Sequence, residues 1–269
     1  MDIVIDLDLL KAKDILSILS DLATFFTAII AIIAIFQVKK QRLSSYKPDI
    51  ILDSFVSKFY AENFLSKNDN FTYVTGKYLQ NNQKERKEGE KYPLISYLLQ
   101  NIGFGTAKYI EGFWDFDYMK ASKILKKYLP EDLVLKDDND GFYFRNEKKD
   151  FWVFFSNFSL ERKQSIDFLL QEANGENGKG QTIPEIITRA YAYYVVLKHN
   201  LEVGLNKENI YEEFDEMPKP VFKVTYRDFN NKKYVKKFEL NFSYIGNNFE
   251  LPNQDLNYCG IFYIDVIEK

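Results

Sequence analysis

The chain has 269 residues, enough for one large domain or two small ones, and 46% hydrophobic with 28% charged residues is the composition of a folded protein. A net charge of −3 and a pI near 5.5 exclude the broad positive field that attracts nucleic acid, so no nucleic-acid partner is expected. With one cysteine and one histidine, an internal disulfide and a zinc site of several cysteines are excluded.

The first predicted element is an apolar segment, residues 15–38, whose uninterrupted apolar or small run extends from Leu22 to Phe36. As a helix rising about 1.5 Å per residue, it would reach roughly 35 Å and cross a hydrocarbon core of about 30 Å. One alternative is a cleaved signal peptide, but that requires a basic start and a cleavage site, whereas this chain starts with Asp2, Asp6 and Asp8. The other is a buried core helix, but such a helix is rarely apolar on every face. We therefore predict a transmembrane helix over 15–38, after a short N-terminal segment, 1–14.

Basic residues around the span predict its orientation. Lys11 and Lys13 precede it, and four follow it as proposed topology determinants: Lys39, Lys40, Arg42 and Lys47. By the positive-inside rule, residues 1–14 lie outside, while the basic linker 39–47 and the domain 48–269 are cytoplasmic. The sequence thus predicts a single-pass protein of the inner (cytoplasmic) membrane, with the lipid bilayer as its first partner.

One face of the predicted span carries small or polar residues at helical three-and-four spacing: Ser17, Ser20, Asp21, Thr24, Thr27, Ala28 and Ala31. Small residues let transmembrane helices approach closely, and hydroxyl groups bond across such contacts. An ionisable residue within a span usually faces a partner or water. The stripe is therefore a proposed association face and predicts a homo-oligomer. The alternative is that Asp21 lies near the outer interface and the stripe reflects ordinary tolerance of small residues.

The rest of the chain is predicted to be mainly β, since aromatic residues make up 17% of it and favour sheet. Strands are expected over 48–59, 92–100 and 108–116, with a polar loop at 81–91. Between the last two strands, the motif Asn-x-Gly-x-Gly-x-Ala at 101–107 predicts a tight turn or bulge. Its spacing departs from the G-x-G-x-x-G fingerprint of dinucleotide sites.

An apolar strand that ends in this motif, after a span and a basic linker, resembles many bacterial membrane-tethered proteins with an immunoglobulin-like β-sandwich. Residues 221–240 are similar to the closing hairpin of such modules, with Tyr226, Asp228 and Tyr234 in the expected arrangement. The resemblance implies a mainly β, antiparallel sandwich with a few helices behind one transmembrane helix, in the inner membrane of a bacterium. Some similar small membrane proteins act as effectors in antiviral defence against phage, a role that the resemblance brings with it.

Between the two motifs the sequence predicts one short helix over 117–129, capped by Asp117 and ended by Pro130. A hairpin around Asn139-Asp140-Gly141 is expected over 133–144. Further segments are predicted as two strands and one loop: 151–160, 165–171 and 174–181.

The capping-box spacing at 182–185 predicts a helix through about Lys198. A strand through Tyr193, Val195 and Leu197 is the alternative. The alternation over 219–268 predicts three or four closing strands.

Two loops approach known binding motifs without matching them. Residues 173–180 have Gly180 after Lys179 where a phosphate-binding loop needs Ser or Thr. Residues 136–147 mimic a calcium loop, but Lys136 occupies the first ligand position, where an anion is needed. We expect a linker loop and a hairpin turn.

His199 and Cys259 complete the search for catalytic groups. No G-x-S-x-G elbow accompanies His199, and we predict that this residue lies at the C-terminus of a helix. The alternating pattern around Cys259 predicts that it packs in a core strand. The sequence thus predicts no enzyme, no cofactor and no metal site. It leaves two functions open: an effector whose cytoplasmic β-domain senses an unidentified cytosolic protein or small-molecule trigger and whose spans cluster to perturb the membrane, or a passive anchored adaptor.

Overall fold

The computed structural model describes residues 3–62, 70–75, 94–146, 151–161, 163–170, 178–201, 210–246 and 258–269. The chain divides into two compact units, residues 1–47 and 48–269. The first unit is a single helix, and the second is mainly antiparallel β with shorter helices.

Helix α1 (Ile3–Ser45) has 43 residues. It runs without a break through the segments that the sequence separates as 1–14, 15–38 and most of 39–47, because no proline or glycine interrupts it before Pro48. Among the described residues, one helix is long and apolar enough to cross a membrane. That part is Leu16–Arg42, which reaches a mean hydropathy of 2.3 and has no side chain buried against the rest of the chain.

The second unit contains strands β1 (Ile50–Leu52), β2 (Phe55–Glu62), β3 (Asn70–Thr75), β4 (Ser96–Asn101), β5 (Ala107–Asp115), β6 (Val134–Asp138), β7 (Gly141–Asn146), β8 (Phe151–Ser156), β9 (Gln164–Leu169), β10 (Lys179–Thr182), β11 (Ile210–Glu213), β12 (Val221–Arg227), β13 (Lys233–Gly246) and β14 (Tyr258–Glu268). The large sheet has the order β3-β2-β14-β13-β12-β5-β9, with β11 beside β13, and curls into a half-barrel. Two three-stranded sheets have the orders β1-β4-β10 and β6-β7-β8. All these pairings are antiparallel.

Within the described residues of this unit lie three further helices: α2 (Tyr118–Leu125), which continues as a 3-10 turn, α3 (Phe158–Glu161) and α4 (Glu185–Leu201). Every residue of α4 from Ile186 to Leu197 is buried. Tyr191 stacks on Phe242 of the large sheet with ring centroids 4.1 Å apart, and Tyr193 stacks on Phe144 of the β6-β7-β8 sheet at 4.4 Å. Helix α4 is therefore the centre of the core.

This position of α4 decides the fold class. The mainly β, antiparallel character and the N-terminal apolar helix are confirmed. The immunoglobulin-like β-sandwich is not confirmed, because helix α4 packs on the face of the large sheet that carries Phe242, where a second sheet would have to pack in a sandwich.

Several local predictions are confirmed. Asp117 caps α2 by accepting a hydrogen bond from the Lys120 N–H at 2.8 Å. The predicted hairpin forms between β6 and β7, and its Gly141 has a φ of +147°, which other residues rarely adopt. The predicted helix through about Lys198 forms from Glu185 as α4, so the alternative strand through Tyr193, Val195 and Leu197 is wrong, and the last fifty residues give three described strands, β12, β13 and β14.

Other predictions are corrected. The first strand is split into β1 and β2, and the strand over 151–160 ends at Ser156, whose side-chain oxygen accepts from the Phe158 N–H at 3.1 Å and begins α3. Part of the loop at 174–181 is strand β10, so Thr182 is a strand residue and not the cap of α4. Strands β3 and β11 were not predicted, and the loop at 81–91 lies outside the described residues.

Candidate membrane anchor and surface site

The predicted association face lies on α1, where the seven stripe residues are exposed and share one face by their helical spacing. Two of their hydroxyl groups bond within the helix: Thr24 Oγ1 donates to the Ser20 carbonyl at 2.9 Å, and Thr27 Oγ1 donates to the Ala23 carbonyl at 2.7 Å. These hydroxyls are therefore satisfied without a second helix. Asp21 differs, because no described residue forms a hydrogen bond or ion pair with its carboxylate.

The four proposed topology determinants are exposed. Lys39, Lys40 and Arg42 belong to the last turns of α1, and Lys47 follows its end. Arg42 is also a cation in the last turn, where it complements the partial negative charge of the helix terminus. The orientation that these residues indicate stays a prediction.

A buried asparagine fixes the point where the second unit begins. The Asn101 side chain accepts hydrogen bonds from the backbone N–H of Asp49 (2.9 Å) and Gly103 (3.1 Å), and it donates to the carbonyls of Gly105 (2.7 Å) and Leu169 (3.0 Å). The sequence motif correctly placed a turn here, but the turn joins two different sheets. The hydrogen bonds of the Asn101 amide hold this turn. Neither Gly103 nor Gly105 has a positive φ.

A bulge distorts β5 just after this turn. The register between β5 and β12 shifts beyond Thr225, and Tyr109 takes a φ of +50°, which is strained for a bulky aromatic residue. The Tyr109 side chain is turned out to solvent, 66% exposed. Beside it lies an open groove of about 410 Å³, lined by Tyr109, Glu111, Thr225, Tyr226, Arg227, Asn231 and Lys233.

The β12–β13 turn forms one wall of the groove and is held by Asp228. One carboxylate oxygen accepts from the N–H groups of Asn230 (2.8 Å) and Lys232 (2.9 Å), and the other accepts from the Tyr234 hydroxyl at 2.9 Å. Burial, followed by the neighbouring Asp228 carboxylate, raises the pKa of Tyr234 to about 12. The predicted hairpin with Tyr226, Asp228 and Tyr234 is confirmed, and the two tyrosine rings stack at 5.3 Å.

A second polar cluster, centred on Glu216, was missed by sequence reasoning. One carboxylate oxygen accepts from the hydroxyls of Tyr128 and Tyr194, both at 2.7 Å, and the other pairs with Lys127 at 3.1 Å. Burial alone would raise the pKa of Glu216, but the hydrogen bonds from Tyr194, Tyr128 and Lys127 outweigh it and hold the pKa at about 2. This carboxylate stays ionised and ties the segment before β12 to α4, which is a structural role.

The remaining sequence candidates fall in separate elements of the fold. His199 lies in the last turn of α4, and Cys259 lies on β14 opposite Tyr60. Residues 136–147 overlap the β6–β7 hairpin instead of forming a helix-flanked calcium loop. Within the described ranges, no three His, Cys, Asp or Glu residues are grouped so that they could hold a metal ion.

The described residues thus form a mainly β, antiparallel protein, and its N-terminal helix is long and apolar enough to span a membrane. No protein-family model, curated protein or solved structure gives a significant match to the chain. The functional assignment therefore depends on the chemistry of the described residues.

Proposed function

We propose that this chain is a non-enzymatic, membrane-anchored binding protein. Helix α1 spans the inner membrane of a bacterium once, and the cytoplasmic domain, residues 48–269, recognises an unidentified cytosolic protein or small-molecule trigger. The observation that carries the proposal is the exposure of α1 on all sides. Leu16, Phe26, Ile35 and Phe36 point in different directions around the helix and are each 59–66% exposed. Burying each such side chain in hydrocarbon is worth about 1.5–3 kcal/mol, so a bilayer stabilises this helix where water does not.

Extraction of whole membranes with alkaline carbonate tests the anchor. We expect the full chain to sediment with the membranes, because Leu16–Arg42 forms a complete span. The matched pair of variants is Ile30→Lys with Ile33→Lys, which should release the protein, and Ile30→Leu with Ile33→Leu, which should not. Recovery of the unaltered chain in the soluble fraction would contradict the anchor.

Reporter fusions at the C-terminus test the orientation. A fluorescent protein that matures only in the cytoplasm should be bright, and a phosphatase that needs the oxidising side should be inactive. Replacing Lys39, Lys40 and Arg42 with glutamine should shift the ratio of the two signals, because it removes the excess of positive charge after the span. An active phosphatase fusion on the unaltered chain would show that the domain lies on the other side.

Two forms of this function differ in what α1 does. In the effector form, spans cluster and perturb the inner membrane, as in a phage-defence effector. Asp21 favours this form, because a carboxylate without a partner in its own helix gains from one on a neighbouring helix. In the adaptor form, α1 is only an anchor. The bonds of Thr24 and Thr27 to their own helix favour this form, because they leave the stripe with little need of a partner.

Induced expression with simultaneous records of growth and membrane potential distinguishes the two forms. The effector form predicts depolarisation that Asp21→Leu abolishes, that Asp21→Asn partly keeps, and that Thr24→Leu with Thr27→Leu reduces less. Ile29→Leu is the control, because Ile29 lies away from the stripe. The adaptor form predicts normal growth and an unchanged potential for all of these variants.

A further inference from the structure

Six large apolar side chains are exposed together at one end of the large sheet, which we name the apolar end. They are Ile102, Phe104, Tyr109, Phe168, Leu170 and Phe229, all between 51% and 76% exposed. They come from the β4–β5 connection, from β5, from β9 and the residue after it, and from the β12–β13 turn. Strand register brings these segments together, because Lys108 of β5 lies opposite Phe168 on one side and Arg227 on the other.

The backbone that carries these side chains is held in place. Asn101 fastens both the β4–β5 connection and the carbonyl of Leu169. Asp228 closes the turn that presents Phe229. A bulge with a positive φ directs Tyr109 outwards. Strain and rigid exposure of aromatic side chains both cost stability, and proteins retain such features where they serve binding.

The charges around the apolar end are mostly positive. Lys108 lies 4.3 Å above the Phe229 ring, and Arg227, Lys232 and Lys233 are exposed on the neighbouring strands and turn. Of the acidic groups there, Asp228 is buried within its turn, Glu111 pairs with Lys163 at 3.2 Å and Asp49 pairs with Lys236 at 2.6 Å, which leaves Asp167 as the exposed acid on β9. Aromatic rings mixed with Lys and Arg are the composition that proteins use at the interface of an anionic membrane.

The apolar end is also where the second unit starts. The Asp49 carbonyl accepts from the Ile102 N–H at 2.9 Å, and the Asp49 N–H donates to Asn101 at 2.9 Å. Asp49 is four residues beyond Ser45, the last residue of α1. Four residues of extended chain reach at most about 14 Å, so residues 46–49 are a short tether.

We propose that the apolar end docks on the anionic surface of the bilayer that α1 spans, with Phe104, Phe168 and Phe229 inserted among the lipid headgroups. The proposal rests on the anchoring function above and adds a second, peripheral contact with the same membrane. The domain is then held in one orientation at the surface, which directs the opposite end of the large sheet towards the cytosol.

A fluorescent label on single cysteines of the full chain tests the docking, in a Cys259→Ala background. One label is placed at Asn230→Cys, next to an intact Phe229, and the control label at Glu161→Cys on α3. Residues around Glu161 line a cavity at the other end of β5 with Trp114 and Asp115. The two ends of β5 are about 27 Å apart at 3.4 Å per residue. The protein is reconstituted in vesicles of phosphatidylcholine with phosphatidylglycerol that contain a headgroup-proximal nitroxide lipid.

We expect the label at residue 230 to be quenched several-fold more than the label at residue 161. Replacing Phe104, Phe168 and Phe229 with serine should abolish this difference, whereas Phe158→Ser should not, although Phe158 is 67% exposed on α3. Pure phosphatidylcholine vesicles should reduce the quenching, because the basic side chains lose their anionic partner. Near-ultraviolet circular dichroism confirms that the serine variants remain folded.

Three results would overturn the proposal. Equal, weak quenching of both labels in a carbonate-resistant protein rejects the docking and leaves the anchor intact. Loss of carbonate resistance rejects the anchor and the docking together. In the third result, the label at residue 230 is protected from aqueous iodide, this protection increases with protein density, and the nitroxide lipid does not quench the label. That result assigns the apolar end to a second copy of the chain instead.

Discussion

Replacing Asn101 with alanine removes the four hydrogen bonds through which one buried side chain holds the backbone of Asp49, Gly103, Gly105 and Leu169. A net hydrogen bond is worth about 1 kcal/mol, and a buried polar group left without a partner costs about 1–3 kcal/mol. Since water can reach some of the freed groups near the sheet end, we expect a loss of about 3–5 kcal/mol in the free energy of unfolding. For a domain of this size that corresponds to a fall of roughly 10 °C in Tm.

Thermal and urea unfolding of the full chain in detergent, followed by near-ultraviolet circular dichroism, measures this loss. Asn230→Ala is the control, because its side chain is exposed and its backbone N–H, which the substitution keeps, donates to Asp228, so its effect should stay within about 0.5 kcal/mol. Asn101→Asp keeps the oxygen that accepts from the Asp49 and Gly103 N–H groups but places a second carboxylate oxygen against the carbonyl oxygens of Gly105 and Leu169, so it should also destabilise. A loss below about 1 kcal/mol for Asn101→Ala would refute the view that this amide organises the sheet end.

Three further predictions concern stability. Gly141→Ala should cost more than about 3 kcal/mol in chemical denaturation, because its φ is +147° and a Cβ would overlap the Phe155 carbonyl oxygen, whereas Gly103→Ala should cost far less. The pKa of Glu216 is lowered from about 4.5 to about 2, so its contribution is present above pH 4.5 and is lost as the pH falls towards 2. An acid titration of Glu216→Gln should lack that loss, and an unchanged acid limb would contradict the hydrogen-bonding scheme. The pKa of Tyr234 is raised from 10 to about 12, so stability should fall between pH 10 and 12 as the unfolded state loses its proton first, and Tyr234→Phe should flatten that fall.

Local signals in the sequence predicted local structure well. The cap of α2 needs only Asp117 and the Lys120 N–H three residues later, and the β6–β7 hairpin needs only Gly141 between two alternating segments. Both interactions form within a few residues, so their chemistry is visible in a short stretch of sequence.

Strand β10 gave no such signal. Its side chains are mostly exposed and polar, and it exists because its backbone pairs with β4, some 80 residues earlier.

Longer-range contacts explain why the predicted sandwich is not confirmed and why the surface site was not predicted. Helix α4 is buried on every face only because two sheets meet around it, and its sequence shows merely a helical repeat. The apolar end combines residues from 102 to 229, each of which looks like an ordinary core residue within its own segment. Asn101 likewise bonds to residues 52 positions before it and 68 after it. Only the folded register shows that these groups meet.

The pairing of β2 with β14 has a consequence for synthesis. Phe55 lies opposite Ile264, so an early strand must wait for one that is made about 200 residues later. While it waits, α1 is already made, and the half-open sheet has two unpaired edges that invite aggregation. A ribosome that stops before Tyr258 would therefore leave an anchor with an unfinished domain, a product that cellular proteases degrade readily. Pulse-chase labelling should show that nascent chains become protease-resistant only after β14 has been synthesised.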